Sequence, residues 1–427
     1  MATDAHRTVD AVWRIESARL IAGLTRFVGD VGLAEELAQD ALVAALEQWP
    51  ESGVPEKPGA WLMAIAKRRA IDQFRRRTVL ERKQQELGRE LEVQQETAGD
   101  DLDTAIDDDV GDDLLRLMFI ACHPVLSTDA RVALTLRLLG GLTTEEIARA
   151  FLCPEPTVAQ RIVRAKRALA EARVPFEVPH GAERAERLSS VLEVIYLVFN
   201  EGYAATAGDD WMRPALCEEA LRLGRILAEL APNEPEVHGL VALMEIQASR
   251  SRARVGPSGE PILLLEQNRG RWDQLLIRRG LTALARAEKL GGALGPYALQ
   301  AAIAACHARA RTPEETDWPQ IAALYGTLAL LTPSPVVELN RAVAVAMADG
   351  PAAGLEIVDG LTEERSLAGY HLLPAVRGDL LDKLGRFDEA CAEFTRAASL
   401  TRNTREREVL LGRARACARG SGRSASR

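Results

Sequence analysis

From Leu142 to Arg173 the chain reads LTTEEIARAFLCPEPTVAQRIVRAKRALAEAR. Its apolar residues recur twice at helical spacing, and LCPEP breaks the period between the two runs. The pattern predicts two amphipathic helices joined by a tight turn. Thr143 or Thr144 can cap the first helix, and Glu145 and Glu146 stand in its first turn, where negative charge is favoured. Ile147, Ala148 and Phe151 form its inner face. Pro156 suits the first position of the second helix, because it lacks an N–H that would go unused there. Val158, Ile162, Ala165 and Leu169 then point inward. Thr157, Gln160, Arg161, Arg164, Lys166 and Arg167 are left for the outer surfaces. This is the layout of a helix-turn-helix, whose second helix fits the major groove of DNA. Thr157, Gln160 and Arg161 are placed for base edges, and Arg164, Lys166 and Arg167 for phosphates. An ordinary amphipathic hairpin shares the same pattern.

Helical spacing is not confined to that stretch. Ala, Leu and Arg are abundant, aromatics make up 4% of the 427 residues, and period-two alternation of β-branched residues is hard to find. The expected fold class is all-α. The net charge of −9 argues against a uniformly basic nucleic-acid binder, so charge has to be followed along the chain. No apolar run reaches the ~18–20 residues that span a bilayer. The N-terminal stretch lacks the apolar core of a signal peptide, so a cytoplasmic protein is expected, with no membrane partner. The six Cys are scattered and none forms a C-x-x-C pair, which points to reduced, mostly buried thiols. Cys122 beside His123 offers half a metal site without a second half, so no metal is expected. No phosphate-cradling Gly loop, nucleophile motif or metal-ligand spacing is present, so neither an enzyme nor a cofactor is expected.

Four segments differ in composition. Residues 8–78 form a helical block, 79–111 a polar and then acidic linker, 112–175 a second helical block, and 181–427 a long Ala/Leu-rich region. In the first block, Val12, Ile15, Leu20 and Leu24 recur at near-helical spacing. Leu33, Leu37, Ala41 and Ala44 share one face of a second helix, with Glu35, Glu36, Gln39 and Asp40 towards the other. Pro50, Gly53, Pro55, Pro58 and Gly59 predict a loop. The third helix, AWLMAIAKRRAIDQFRRR, carries an apolar stripe of Trp61, Leu62, Ile65, Ile71 and Phe74. Beside it lie Lys67, Arg68, Arg69, Arg75, Arg76 and Arg77 against one acid, Asp72. Cations beside rings suit phosphate and exposed bases. A helix C-terminus enriched in Lys and Arg by its dipole looks the same. The linker holds eight Asp between residues 99 and 113 and no positive charge. Such a run is suited to a solvated tether, or to lie over a basic helix in competition with nucleic acid.

Taken together, the two blocks resemble regions two and four of the extracytoplasmic-function (ECF) sigma factors of the sigma-70 family. The matching stretches are GDVGLAEELAQDALVAALEQW, PGAWLMAIAKRRAIDQFRRR and LTTEEIARAFLCPEPTVAQRIVRAKRAL, in the family's order and separation, over residues 8–173. The resemblance implies that the first block binds core RNA polymerase through Asp30, Glu35, Glu36, Gln39 and Asp40. It implies that Trp61, Lys67, Arg68, Arg69, Asp72, Arg75 and Arg76 engage the −10 element of promoter DNA and help hold it melted. The helix-turn-helix would read the −35 element as duplex. Two positions depart from the family pattern. Arg68 stands where Asn is frequent, and Ala159 where a polar or basic side chain is common, which removes one expected DNA contact. The acidic linker and the apolar opening DDLLRLMFIACHPV resemble the subgroup with a long C-terminal helical extension.

That extension is expected to be tetratricopeptide-like. GDLLDKLGRFDEACAEFTRAASL places Gly378, Leu381, Gly385, Phe387, Ala390, Phe394 and Ala397 where paired helices need small and large residues. Two more degenerate units surround Pro232 and follow Ser334. Stacked helix pairs either expose a groove for a protein or peptide partner or close into a domain that packs without one. His238, His307 and His371 are widely separated and read as core or surface residues. The cluster Glu266, Gln267, Asn268, Arg269, Arg271, Trp272 and Asp273 is suited to hold a ligand or to fix a loop. The leading functional reading is a dissociable initiation subunit whose C-terminal region regulates it or binds a partner. The alternative is a stand-alone helix-turn-helix regulator with a helical-repeat scaffold.

Overall fold

A computed structural model describes residues 2–86, 110–257, 259–291 and 295–424. Most of the acidic linker, residues 87–109, therefore lies outside the described residues. The fold is all-α, with eighteen α-helices among the described residues and one pair of two-residue strands. The chain divides into two compact units, Met1–Val194 and Ile195–Arg427. No helix among the described residues is long and apolar enough to cross a membrane.

The first unit begins with α1 (Ala2–Val28), α2 (Val31–Ser52) and α3 (Pro58–Glu86). Asp30 caps α2 by accepting from the Leu33 N–H at 2.8 Å. Leu20, Ile21 and Leu24 of α1 and Leu37, Ala38 and Ala41 of α2 are all buried, and the two helices pack on each other. Each fully buried Leu or Ile there contributes about 1.5–3 kcal/mol. Three expectations fail in this block. Ile15 is 66% exposed, because the buried stripe runs through Ser17, Ala18 and Leu20–Leu24 instead. Helix α2 continues through Pro50 to Ser52, since a proline in the last turn forfeits a single hydrogen bond. In α3 the inward face is Leu62, Ala66 and Ala70, which leaves Ile71 and Phe74 exposed. Alanines at i, i+4 spacing let α3 approach α1 and α2 closely, and that close approach outweighs burying the larger residues.

Then follow α4 (Val110–Ala121), α5 (Thr128–Leu138), α6 (Thr144–Phe151), α7 (Glu155–Glu171) and the start of α8 (Gly181–Tyr203). Helix α4 is nearly all apolar on its inner side, with Leu117, Met118, Phe119 and Ile120 each at most 3% exposed. It packs against α1. Asp113, the last of the eight linker acids, is itself buried and pairs with Arg116 at 2.8 Å and Arg26 at 3.3 Å. Ser190 and Arg187 of α8 reach the carbonyls of Cys122 and Phe119 at 2.6 and 3.4 Å, which ties the start of α8 to this unit.

The second unit continues from α8 with α9 (Pro214–Leu230), α10 (Pro235–Ala248), α11 (Gln274–Lys289), α12 (Pro296–Arg309) and α13 (Trp318–Leu331). It ends with α14 (Pro335–Asp349), α15 (Pro351–Gly360), α16 (Leu372–Lys383), α17 (Phe387–Leu400) and α18 (Thr404–Ser424). Six of these helices carry Pro in the first turn, where its fixed φ is already helical. From α9 on, each helix packs chiefly on its sequence neighbours, as in a helical-repeat protein. The α16–α17 pair is as close as the sequence requires. A Cβ on Gly378 would sit 3.1 Å from the Phe394 ring, which is fully buried.

The array is pinned at its ends. β1 (Ala207–Gly208) pairs in parallel with β2 (Arg402–Asn403). The buried Asn403 side chain donates to the carbonyls of Ala205 and Asp210 at 3.1 and 2.9 Å. Of the two expectations for this region, the geometry favours the closed domain over the open groove. The Glu266–Asp273 cluster fixes a loop: Asn268 accepts from Gly270, Asp273 caps α11, and Arg269 donates to the His307 and Ala310 carbonyls and to Thr316.

Candidate nucleic-acid interface

The helix-turn-helix is built from α6 and α7. Thr143 caps α6 in a full capping box, with its hydroxyl accepting from Glu146 N–H and the Glu146 carboxylate accepting from Thr143 N–H. This settles the choice between Thr143 and Thr144. The turn passes through Leu152 at φ 48°, a left-handed conformation that costs a side-chain-bearing residue about 1–2 kcal/mol. Helix α7 starts at Glu155 with Pro154 as its cap, so Pro156 stands one position later than expected. Val158, Ile162, Ala165 and Leu169 are all at most 5% exposed and lock α7 onto α5 and α6.

Fixing that inner face decides which residues point out. Gln160, Val163, Arg164 and Arg167 form the exposed stripe, while Thr157 and Arg161 are half-buried at its margin. Val163, 64% exposed in the middle of the stripe, was missed in the sequence because an isolated Val reads as core. Its spacing three residues after Gln160 was the available signal. An exposed apolar group there is suited to a thymine methyl. Arg161 pairs with Asp129 at 2.9 Å and Arg167 with Glu171 at 2.7 Å, and the latter hydrogen bond raises the Arg167 pKa. Arg164 has no ion-pair partner among the described residues.

Lys166 points elsewhere. Its ammonium pairs with Glu35 of α2, and Arg137 of α5 holds the same carboxylate at 2.6 Å. The Lys166 stem lies 3.7 Å from where a Gly32 Cβ would be. Glu35, expected on an exposed polar face, is only 4% exposed. In this arrangement neither Glu35 nor Lys166 offers a free charge to a partner. Amphipathic spacing alone placed both outward; packing of α2 against α7 turned them inward. Arg14 adds a second link at 3.0 Å to Glu146, on the exposed side.

The remaining candidates gather between α2 and α3. Glu36, Gln39 and Asp40 line one wall of an open polar groove of about 720 Å³, and Arg69, Asp72 and Arg76 line the other. Arg69 reaches Asp40 at 3.3 Å across it. Gln39 donates to Glu35 at 3.2 Å, while Asp30 is occupied as the α2 cap. Arg68, Arg75 and Arg76 are exposed without an ion pair among the described residues. Beside them lie Ile71 and Phe74, 41% and 37% exposed. Lys67 sits over the Phe27 ring, 5.9 Å from its centroid. Trp61 packs edge-on against Trp49, with centroids 5.3 Å apart. It is therefore part of the α2–α3 contact as well as of the surface.

Cys122 is buried against the Thr135 hydroxyl, and burial pushes its thiol up to about 12. It is a protonated core residue and not a thiolate. Burial and then the nearby Arg187 charge lower His123 to about 4. Among the described residues no three His, Cys, Asp or Glu gather as a metal site would need.

Three family models match the chain. Sigma-70 region 2 matches residues 15–79, Sigma-70 region 4 matches residues 116–169, and a family of unknown function, DUF6596, matches residues 187–288. An uncharacterized protein of Rhizobium meliloti (strain 1021) is 44% identical over 389 residues, which is 90% of each chain. A probable ECF RNA polymerase sigma factor, SigI, of Mycobacterium tuberculosis is 28% identical over 182 residues. That match spans 42% of this chain and 60% of the relative. No solved structure matches.

Proposed function

The chain belongs to the extracytoplasmic-function sigma factors of the sigma-70 family, with a C-terminal extension, and directs transcription initiation with core RNA polymerase on promoter DNA; from that premise we propose how its residues divide the work. Residues 8–78 serve as the region-2 domain and 112–175 as the region-4 domain. Glu36, Gln39 and Asp40 on α2 meet the polymerase, with Asp30 holding the start of that helix. Arg68, Arg69, Arg75 and Arg76 hold the backbone of the opened −10 strand, and Ile71, Phe74 and Trp61 supply surface for unstacked bases. Gln160, Val163 and Arg164 face the edges of the −35 bases, with Arg161 and Arg167 at the phosphates. The chain supplies recognition, and the polymerase supplies the nucleotide chemistry.

The observation that carries this reading is a set of exposed cations on two separate helices, Arg68, Arg75 and Arg76 beside exposed apolar residues and Arg164 on a helix-turn-helix, none with an ion pair among the described residues. Duplex readout needs a helix in the groove, whereas a melted strand needs charge and stacking. Glu35 and Lys166 add a condition. Lys166 and Arg137 both hold the Glu35 carboxylate in the free chain, so Glu35 and Lys166 themselves meet polymerase or DNA only if this contact opens.

Run-off transcription with purified core polymerase tests the division. The full chain should give promoter-dependent transcript, and on its own it should bind the same promoter weakly. Tight operator binding without polymerase, as a two-fold dimer on spaced half-sites, would favour a stand-alone regulator instead. The C-terminal region regulates this activity. Its size and covalent attachment support that role. Equal transcription from the full chain and from a chain ending after residue 175 would refute it.

A further inference from the structure

The second unit contains a cavity of about 360 Å³ that no part of the proposed sigma activity uses. It is lined from α8, α10, α12, α13 and α14, and its volume lies near the lower end of the range of about 300–1,000 Å³ typical of small-molecule sites. Leu243, Ile303, Leu328 and Val336 give it apolar walls. Arg250 is its one charged residue, and no carboxylate lines it. Arg250 is 7% exposed and His307 is 8% exposed, and both line the cavity. Arg250 Nε and His307 Nδ1 are buried without a hydrogen-bond partner.

Charge makes the cavity selective. Arg250 and its neighbours Arg254 and Arg269 are all buried, and none forms an ion pair among the described residues. Arg254 donates to the Tyr203 carbonyl, and Arg269 to the carbonyls of His307 and Ala310. Arg250 donates to the Gln247 side chain and lies between the rings of Tyr203 and Trp272, 5.7 and 5.8 Å from their centroids. No carboxylate lines the cavity beside Arg250, and buried positive charge without an ion pair is costly, so an anion there is favoured. Burial, then the charges of Arg250 and Arg269, lower His307 to about 4. Its ring is uncharged at neutral pH, with Nδ1 left for a hydrogen bond.

We propose that this cavity binds a small organic monocarboxylate with an apolar body, its carboxylate held by Arg250 and steadied by His307. One lining cation matches one negative charge, and the guanidinium fork matches a planar carboxylate. Asn340 is placed for a polar group on the ligand body, while Gln300 is held by the Tyr196 hydroxyl and the Pro296 carbonyl. A peptide fits less well, because the helical array is pinned end to end and the cavity is small.

Isothermal titration of the full chain tests this without transcription, so its failure is separate from any failure of the sigma assignment. The probes are benzoate and hexanoate, their neutral amides benzamide and hexanamide, and inorganic phosphate. Saturable binding of either carboxylate at one site per chain is expected, with the matching amide weaker by about tenfold or more. Arg250→Lys, which keeps the charge and loses the fork, should weaken binding by about tenfold. Val337→Trp, which fills the cavity from α14 and leaves Arg250 in place, should abolish it. Circular dichroism checks that both variants fold. The proposal is overturned if neither carboxylate binds, if amide and acid bind alike, if phosphate binds in preference, or if the folded Val337→Trp chain binds as before.

Discussion

Arg68, Arg75, Arg76 and Arg164 in the first unit stand exposed, whereas Arg250, Arg254 and Arg269 in the second are at most 9% exposed. All seven lie in or beside helices rich in apolar residues, and sequence alone gives them the same appearance. The exposed four have no ion-pair partner among the described residues, so their charge is available to a polyanion. The buried three give donors to backbone carbonyls, a glutamine and a threonine, leave Nε of Arg250 and Arg269 without a partner, and pack on aromatic rings. An arginine's role is thus set by what surrounds it: solvent for one group, loop architecture and the wall of a cavity for the other.

Reversing the charge of Arg75, Arg76, Arg161 and Arg164 together should cut run-off transcription by about a thousandfold, or about 4 kcal/mol, with little change in melting temperature. A fall in melting temperature with transcription intact would break the comparison, because these residues would then be structural. Arg269→Met should do the reverse. It strips the His307 and Ala310 carbonyls and the Thr316 hydroxyl of a buried donor, and should cost about 3–4 kcal/mol in urea unfolding of the second unit. Unchanged stability would mean that water replaces the guanidinium freely.

Acidification sharpens the same contrast. His307 titrates near 4 in the folded chain against about 6.5 unfolded, so the unfolded chain binds the extra proton first. Its contribution is complete above pH ~6.5 and is lost as pH falls towards ~4, a change of about 2–3 kcal/mol. Denaturation at both pH values, with and without His307→Gln, reads it; an equal slope in the variant would assign the loss to other groups. His123 in the first unit acts in the same direction and, being more exposed, by less. The smallest effect is at the turn. Leu152→Gly should stabilise the first unit by about 0.5–1 kcal/mol, because glycine holds φ 48° without strain. A loss of stability there would show that the Leu152 side chain contributes more than its backbone costs.

Much of the helix-turn-helix was legible. The period of apolar residues, the Thr143–Glu146 pair and the proline-rich turn are local signals, and the inner face of α7 follows from them. Which way α3 turns was not legible, because Ala66 and Ala70 compete with Ile71 and Phe74 for the interior. Close approach of neighbouring helices, invisible in one segment, gave the interior to the alanines. Likewise, Glu35 and Lys166 look like surface charges until α2 and α7 meet. Val163 looks like core until Val158, Ile162 and Ala165 have filled the inner side.

By itself the sequence determined the helical class, the helix-turn-helix and the likeness to a two-part initiation factor, because those rest on spacing within a few turns of chain. Only the tertiary structure decided which charges stay free, that Asn403 closes the array onto Ala205 and Asp210, and that Arg250 and His307 share one cavity. Those residues lie tens to hundreds of positions apart. Burial and pairing at such separations depend on how whole helices pack, which no local period encodes.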